Sequence, residues 1–167
     1  MVDIRLMIIG VISDTHIGGR IKDLPKELLD GLRGVDLIIH AGDILKDYVI
    51  YELEEIAPVE AVAGNNDDYY IHDKLGIKKI IDVGKFKIGI THGNGGGSAL
   101  KRAMAMFARD KVDCVIFGHS HIPYNEKIDG VLYVNPGSPT DKRTQKQYSY
   151  AILKVDDSGI SAQIRYF

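Results

Sequence analysis

At 167 residues, 45% hydrophobic and 26% charged, the chain has apolar material for one sizeable core and is short for two, so one domain over residues 1–167 is expected and disordered or fibrous classes are excluded. A net charge of −2 leaves no general electrostatic footprint for nucleic acid or an anionic membrane, and no run approaches the ~20 apolar residues of a membrane span, so neither is expected as a partner. The single cysteine, Cys114, lies in an apolar run and excludes an intrachain disulfide framework; with no cleavage pattern after the first apolar run, the expected location is cytoplasmic.

The run Ile8-Ile9-Gly10-Val11-Ile12 is short and rich in β-branched residues, and it stops at Asp14-Thr15-His16, so it reads as a buried strand ending in a loop. Asp23-Leu24-Pro25 predicts a helix start with Asp23 as N-cap, running through Leu28, Leu29 and Leu32 to Gly34. A second strand, Leu37-Ile38-Ile39, ends at His40-Ala41-Gly42-Asp43. Asp47 then caps a helix bearing Val49, Ile50, Leu53 and Ile56, stopped by Pro58. A third strand, Val59 to Val62, leads into Gly64-Asn65-Asn66-Asp67. This alternation implies parallel pairing with right-handed crossovers. Residues 64–75 are polar and turn-rich and read as a loop.

Residues 78–83 and 86–91 predict two strands joined at Gly84-Lys85, the second ending at Thr91-His92-Gly93. The glycine-rich stretch 93–98 precedes a helix over 99–109. It reads either as a connector or as an anion nest, and it lacks the lysine of a nucleotide-binding loop. A strand at 113–117 ends at Gly118-His119-Ser120-His121. Asp129-Gly130 predicts a hairpin turn, Asn135-Pro136-Gly137 a further turn near the strand ends, and Asp156 to Gly159 a last hairpin. Three parallel strands and several hairpin strands crowd one sheet, so two sheets packed face to face with helices outside are expected.

Five strand ends thus deliver Asp14, His16, Asp43, Asn65, His92, His119 and His121 to what can be one place, the carboxyl edge where α/β sheets bind ligands. Seven nitrogen and oxygen donors exceed the four to six that one divalent ion takes, which suggests two ions, with Asp43 able to bridge them. Mixed N/O ligation without thiolate favours Mn, Fe, Zn, Co or Ni over Ca or Mg. Two divalent ions against two carboxylates and a hydroxide leave a net positive centre suited to an anion. Paired metals of this kind activate water and clamp a phosphoryl oxygen during in-line displacement.

In their order along the chain, Asp14-Thr15-His16, Gly42-Asp43, Gly64-Asn65-Asn66-Asp67, Thr91-His92-Gly93 and Gly118-His119-Ser120-His121 resemble the calcineurin-like metallophosphoesterases, in particular their small single-domain phosphodiesterase branch. The resemblance covers residues 8 to about 140. It implies a four-layer α/β/β/α sandwich of two mixed sheets flanked by helices. It also implies one metal held by Asp14, His16 and His121, a second by Asn65, His92 and His119, and Asp43 between them. The implied activity is hydrolysis of a phosphodiester by a metal-bound hydroxide, with manganese the first expectation for the metal and nickel, iron, zinc or cobalt as alternatives. His92 and His119 would offset developing charge.

Many members of that family carry histidine at the position of Asn66, where it serves the leaving group or the transition state. An amide is no general acid at neutral pH, so diesters and activated esters are the expected substrates. A scaffold of the same fold that binds proteins in trafficking complexes is the alternative, and retention of all seven donors favours the enzyme. His40, inside its strand, is expected to orient Asp43 rather than to ligate. Asp67 either bonds a ligand histidine or shapes the turn, and His72 is expected at the surface. Met104, Met106 and Phe107 read as helix core, although exposed methionines would suit a homo-oligomer.

Overall fold

The computed structural model describes residues 5–167. In chain order its elements are β1 (Met7–Ile12), α1 (Lys26–Gly31), β2 (Leu37–His40), α2 (Tyr48–Glu54), β3 (Val59–Ala61), α3 (Tyr69–Leu75) and β4 (Lys78–Val83). There follow β5 (Phe86–Thr91), α4 (Ala99–Met106), β6 (Cys114–Ile116), β7 (Tyr124–Ile128), β8 (Val131–Asn135), β9 (Ser149–Asp156) and β10 (Gly159–Tyr166). They form two five-stranded mixed sheets, ordered β10-β9-β1-β2-β3 and β4-β5-β6-β8-β7.

The unbroken apolar run of β1 follows from its place at the centre of the first sheet, where both faces are covered. Ile9 and Val11 point between the sheets, with Ile39 beside them and Ile88, Ile90, Cys114, Ile116 and Val134 opposite. Ile12 and Ile38 face outward onto Leu28 of α1, Leu32 just after it and Leu53 of α2. On the outer face of the second sheet, Ala99, Ala103 and Phe107 pack against Val115, Phe117 and Tyr133. Four layers result, α/β/β/α. Two glycines permit the close fit of helix to sheet: a Cβ at Gly10 would collide with Leu32, and one at Gly89 with the ring of Phe107.

Several expected boundaries move. α1 starts at Lys26 with Pro25 as the flanking residue and no side-chain cap, so Asp23 caps nothing there. The helix also closes at Gly31, short of Gly34. Asp47 stands at the start of α2 without a capping hydrogen bond, and α4 stops at Met106. The larger correction is α3, which occupies half of the expected loop 64–75. Asp68 caps it by accepting from the Ile71 N–H at 3.0 Å, Ile71 packs into the outer core, and Gly76, at φ +70°, turns the chain out. The polar run that resembles coil is a cap. The last hairpin, β9 with β10, also joins the parallel sheet, β9 running antiparallel to β1 from Met7↔Val155 to Val11↔Ala151. Met104 and Met106 are half-buried beside the α4 core, as packing residues. Among the described residues no helix is long and apolar enough to cross a membrane.

Candidate metal centre

All seven predicted donors meet at one edge of the sandwich. Asp14 Oδ1 lies 3.4 Å from His121 Nε2, 3.6 Å from His92 Nε2 and 3.7 Å from His16 Nε2. Asp43 Oδ2 stands 3.3 Å from both His16 Nε2 and His92 Nε2, which places it between the two halves of the cluster. Asn65 Oδ1 and His119 Nδ1 are 3.1 Å apart at the more exposed end, where the His119 ring meets that of His92 edge-on. Asp14 with His16 and His121, and Asp14 with Asp43 and His92, each form a set able to hold a metal ion.

Whether such a group fits can be read from hydrogen bonding. Asp14 Oδ1 and the Nε2 atoms of His16, His92 and His121 are buried and have no hydrogen-bond partner. An unsatisfied buried polar atom costs about 1–3 kcal/mol, so four converging on one point describe a cradle for cations. The far side of two rings sets their orientation: His92 Nδ1 donates to the Ala41 carbonyl at 2.7 Å and His121 Nδ1 to that of Asp141 at 2.5 Å. Each Nε2 lone pair is left facing the cleft. The donor set of imidazole, carboxylate and amide suits divalent transition metals.

Electrostatics point the same way. Burial alone would raise the pKa of Asp14, yet contacts with His121 and His16 hold it well below the ordinary carboxylate range. Burial opposes charge on His16, but Asp14 and Asp43 push its pKa up to about 9. In the metal-free protein protons therefore occupy ground that a cation would take, and metal uptake would release them.

Five of the seven donors sit on left-handed backbone: Asp14 (φ 56°), His16 (46°), Asp43 (57°), His119 (70°) and His121 (60°). Side chains other than glycine resist this conformation by about 1–2 kcal/mol each, so the surroundings must impose it. Asp67 holds the Asp43 loop with one carboxylate, accepting from the N–H groups of Asp43 (2.9 Å), Ile44 (2.8 Å), Leu45 (2.7 Å) and Gly64 (2.8 Å). Of its two expected roles it fills the loop-shaping one. Asn135 donates to the Gly118 carbonyl and to Ser120 Oγ, fixing the loop of His119 and His121. Ser138 Oγ donates to the Asp14 carbonyl at 2.8 Å, and Thr140 Oγ1 to that of Thr15 at 2.6 Å. Ser138, Thr140 and Asp141 were missed in the sequence. Their only local sign is the turn begun by Asn135, and the partners of Ser138 and Thr140 lie more than a hundred residues away.

Asn66 lies against Asp43, its backbone N–H donating to Oδ1 at 2.8 Å and its amide Nδ2 to Oδ2 at 2.7 Å. His72 is half-buried on α3. His40 is fully buried and is not among the converging donors. Its Nδ1 accepts from the Gly42 N–H at 3.1 Å, so its Nε2 carries the proton toward Thr15 Oγ1 at 3.0 Å, bracing the loops of Asp43 and Asp14. Burial pushes its pKa down to about 3. A base kept neutral only in the fold stabilises it fully above the unfolded value near 6.5 and progressively less as pH falls toward about 3. The His40 contribution to the stability of the chelator-treated protein should therefore fall by up to about 1.4 kcal/mol per pH unit below pH 6.5, read as the difference in slope between wild type and a His40 variant. His40→Gln should flatten that slope; an unaltered slope would count against the assignment.

The chain belongs to the calcineurin-like phosphoesterase superfamily, whose domain matches residues 7–158. It is a hydrolase of the metallophosphoesterase type, a family that uses divalent metals. It is 36% identical to a probable metallophosphoesterase of Methanothermobacter thermautotrophicus over 165 residues, covering 95% of this chain and 91% of the relative. A phosphodiesterase of Methanocaldococcus jannaschii is 33% identical over 144 residues, 78% of this chain and 83% of the relative. Among solved structures, Vps29 of Entamoeba histolytica complexed with Zn2+ superposes with a TM-score of 0.76 at 24% identity, over 96% of this chain and 98% of that one.

Proposed function

We propose that the protein is a phosphodiesterase that works with two divalent transition-metal ions, manganese first among them. The observation that carries this reading is the convergence of four buried, unpartnered ligand atoms, Asp14 Oδ1 and the Nε2 atoms of His16, His92 and His121, beside the Asp43 carboxylate. Asp14, His16 and His121 would hold one ion, Asn65, His92 and His119 the other, and Asp43 would face both. Bound there, such a pair supplies an activated water and neutralises a phosphoryl oxygen. The likeness to the Methanocaldococcus phosphodiesterase supports the diester as substrate.

The residues of the chain then set the rest. Asp141 and Ala41 fix the rings of His121 and His92 so that no reorganisation is needed when charge develops. Burial, with the charges of His92 and Arg143, lowers the pKa of His119, so this imidazole is neutral at pH 7. Asn66 holds no proton to give a leaving group. Phosphodiesters and activated esters should accordingly be turned over in preference to monoesters of poor leaving groups.

The test is hydrolysis of a chromogenic diester and its matching monoester by metal-stripped protein reloaded with Mn, Ni, Zn or Mg, with metal analysis. Metal-dependent turnover favouring the diester is expected. Asn66→His should speed the monoester by about tenfold or more, and equal rates in both proteins would remove the leaving-group argument. Two bound ions without turnover would instead favour a protein-binding scaffold. No metal uptake would sink both the cradle and the activity.

A further inference from the structure

The loop that follows β8 carries a cation with no task inside the fold. Residues 138–141 are pinned to the centre at three points: Ser138 to the Asp14 carbonyl, Thr140 to the Thr15 carbonyl, and the Asp141 carbonyl to His121 Nδ1. Two residues on, Arg143 adopts left-handed backbone at φ 49°, and a turn closes behind it with the Gln145 N–H donating to the Lys142 carbonyl at 2.9 Å. Arg143 is exposed, and among the described residues its guanidinium makes no hydrogen bond or ion pair. A strained residue on a loop anchored to Asp14, Thr15 and His121 is held in place for a reason, because strain persists only where the surroundings over-determine it.

The chemistry of the site supplies that reason. A diester phosphate enters with one negative charge and gains a second as the nucleophile adds. Asn66, neutral and turned onto Asp43, contributes no cation from its side of the cleft. A guanidinium offers two parallel N–H donors matched to a pair of phosphoryl oxygens and keeps its charge at every working pH. We propose that Arg143, two residues beyond the Asp141 carbonyl that holds His121, is a substrate-binding residue whose guanidinium takes the nonbridging oxygens of the scissile phosphate at the rim of the cleft. This rests on the phosphodiesterase reading for its substrate, though binding of phosphate tests it separately.

The experiment compares wild type, Arg143→Ala and Arg143→Lys, all loaded with the same metal. It measures metal content, Tm, the kinetics of a chromogenic diester, and calorimetric binding of inorganic phosphate. Arg143→Ala should keep its metal and Tm while kcat/KM falls about 30-fold and phosphate binding weakens about tenfold or more. Arg143→Lys, a point charge without the fork, should recover part of both losses. If Arg143→Ala lowers Tm or metal content, Arg143→Gln takes its place.

Unchanged kcat/KM and phosphate affinity in the alanine variant would overturn the proposal. So would the absence of phosphate binding to metal-loaded wild type. If wild type turns over no diester yet binds phosphate in an Arg143-dependent way, the phosphodiesterase reading fails and the anion site stands.

Discussion

Asp67→Ala is expected to lower stability by about 4–6 kcal/mol, since it strands buried N–H groups that each cost about 1–3 kcal/mol unpaired and are only partly rescued by water. In a chain of this length the corresponding fall in Tm is about 10–20 °C. The four donors it serves belong to Asp43, Ile44, Leu45 and Gly64, so one carboxylate ties the loop after β2 to the loop after β3. Losing it should also release Asp43 from its left-handed conformation and reduce metal content in parallel with stability. Asp67→Asn tests the same point more narrowly, because one amide oxygen can still serve the N–H groups of Ile44 and Leu45 while the NH2 opposes those of Asp43 and Gly64. Denaturant unfolding with metal analysis decides it; an alanine variant within about 1 kcal/mol of wild type would show that the clamp is dispensable.

Asp43→Ala should leave the fold largely standing but remove the centre. Its Oδ2 is 3.3 Å from one imidazole of each half, and both its oxygens also accept from Asn66. Without it, the halves lose the carboxylate that faces both. Bound metal is expected to fall below two ions per chain, and metal-dependent turnover of a diester by about a thousandfold or more. The variant should also return His16 from about 9 toward its ordinary value, because Asp43 is one of the two carboxylates that raise it. That raised pKa stabilises the metal-free fold fully below the unfolded value near 6.5 and is lost as pH rises through about 9, so the variant's deficit should be larger at pH 6 than at pH 9.5. A full metal complement with wild-type turnover would contradict the role given to Asp43.

The cluster was legible in the sequence because seven Asp, Asn and His residues follow five apolar strands; one such residue at a strand end is more often a turn former, and only the recurrence points to a shared site. Layering was legible too, since three parallel strands and several hairpin strands crowd one sheet; the structure then turns Ile9 and Val11 to one face and Ile12 and Ile38 to the other. What escaped was non-local. The carboxylate of Asp67 serves N–H groups up to 24 residues away, and nothing in its own neighbourhood distinguishes that duty from a turn. The run before Tyr69 reads as loop because Asn and Asp favour turns, yet the last of them caps α3, a use of the same chemistry that depends on Ile71 finding the core. A hairpin pattern reveals pairing within β9 and β10 and is silent on which sheet they join. The left-handed backbone of five donors could not be placed from sequence, since aspartate and histidine enter that region more readily than most residues but only the fold says where.

The pairing of β1 with β9, and the bond from Ser138 to the Asp14 carbonyl, bear on how the protein is made. A ribosome delivers chains from the amino end at about 5–20 residues per second. Asp14 and His16 therefore emerge well before Ser138, 124 residues later, whose hydroxyl holds the Asp14 carbonyl. For several seconds β1 has β2 and β3 to one side and an open edge on the other. The nascent chain thus cannot bring Asp14 and His16 together with His119 and His121 until β6 and the loop after it have been made. A stray cation that meets the growing polypeptide before then finds only fragments of the cradle.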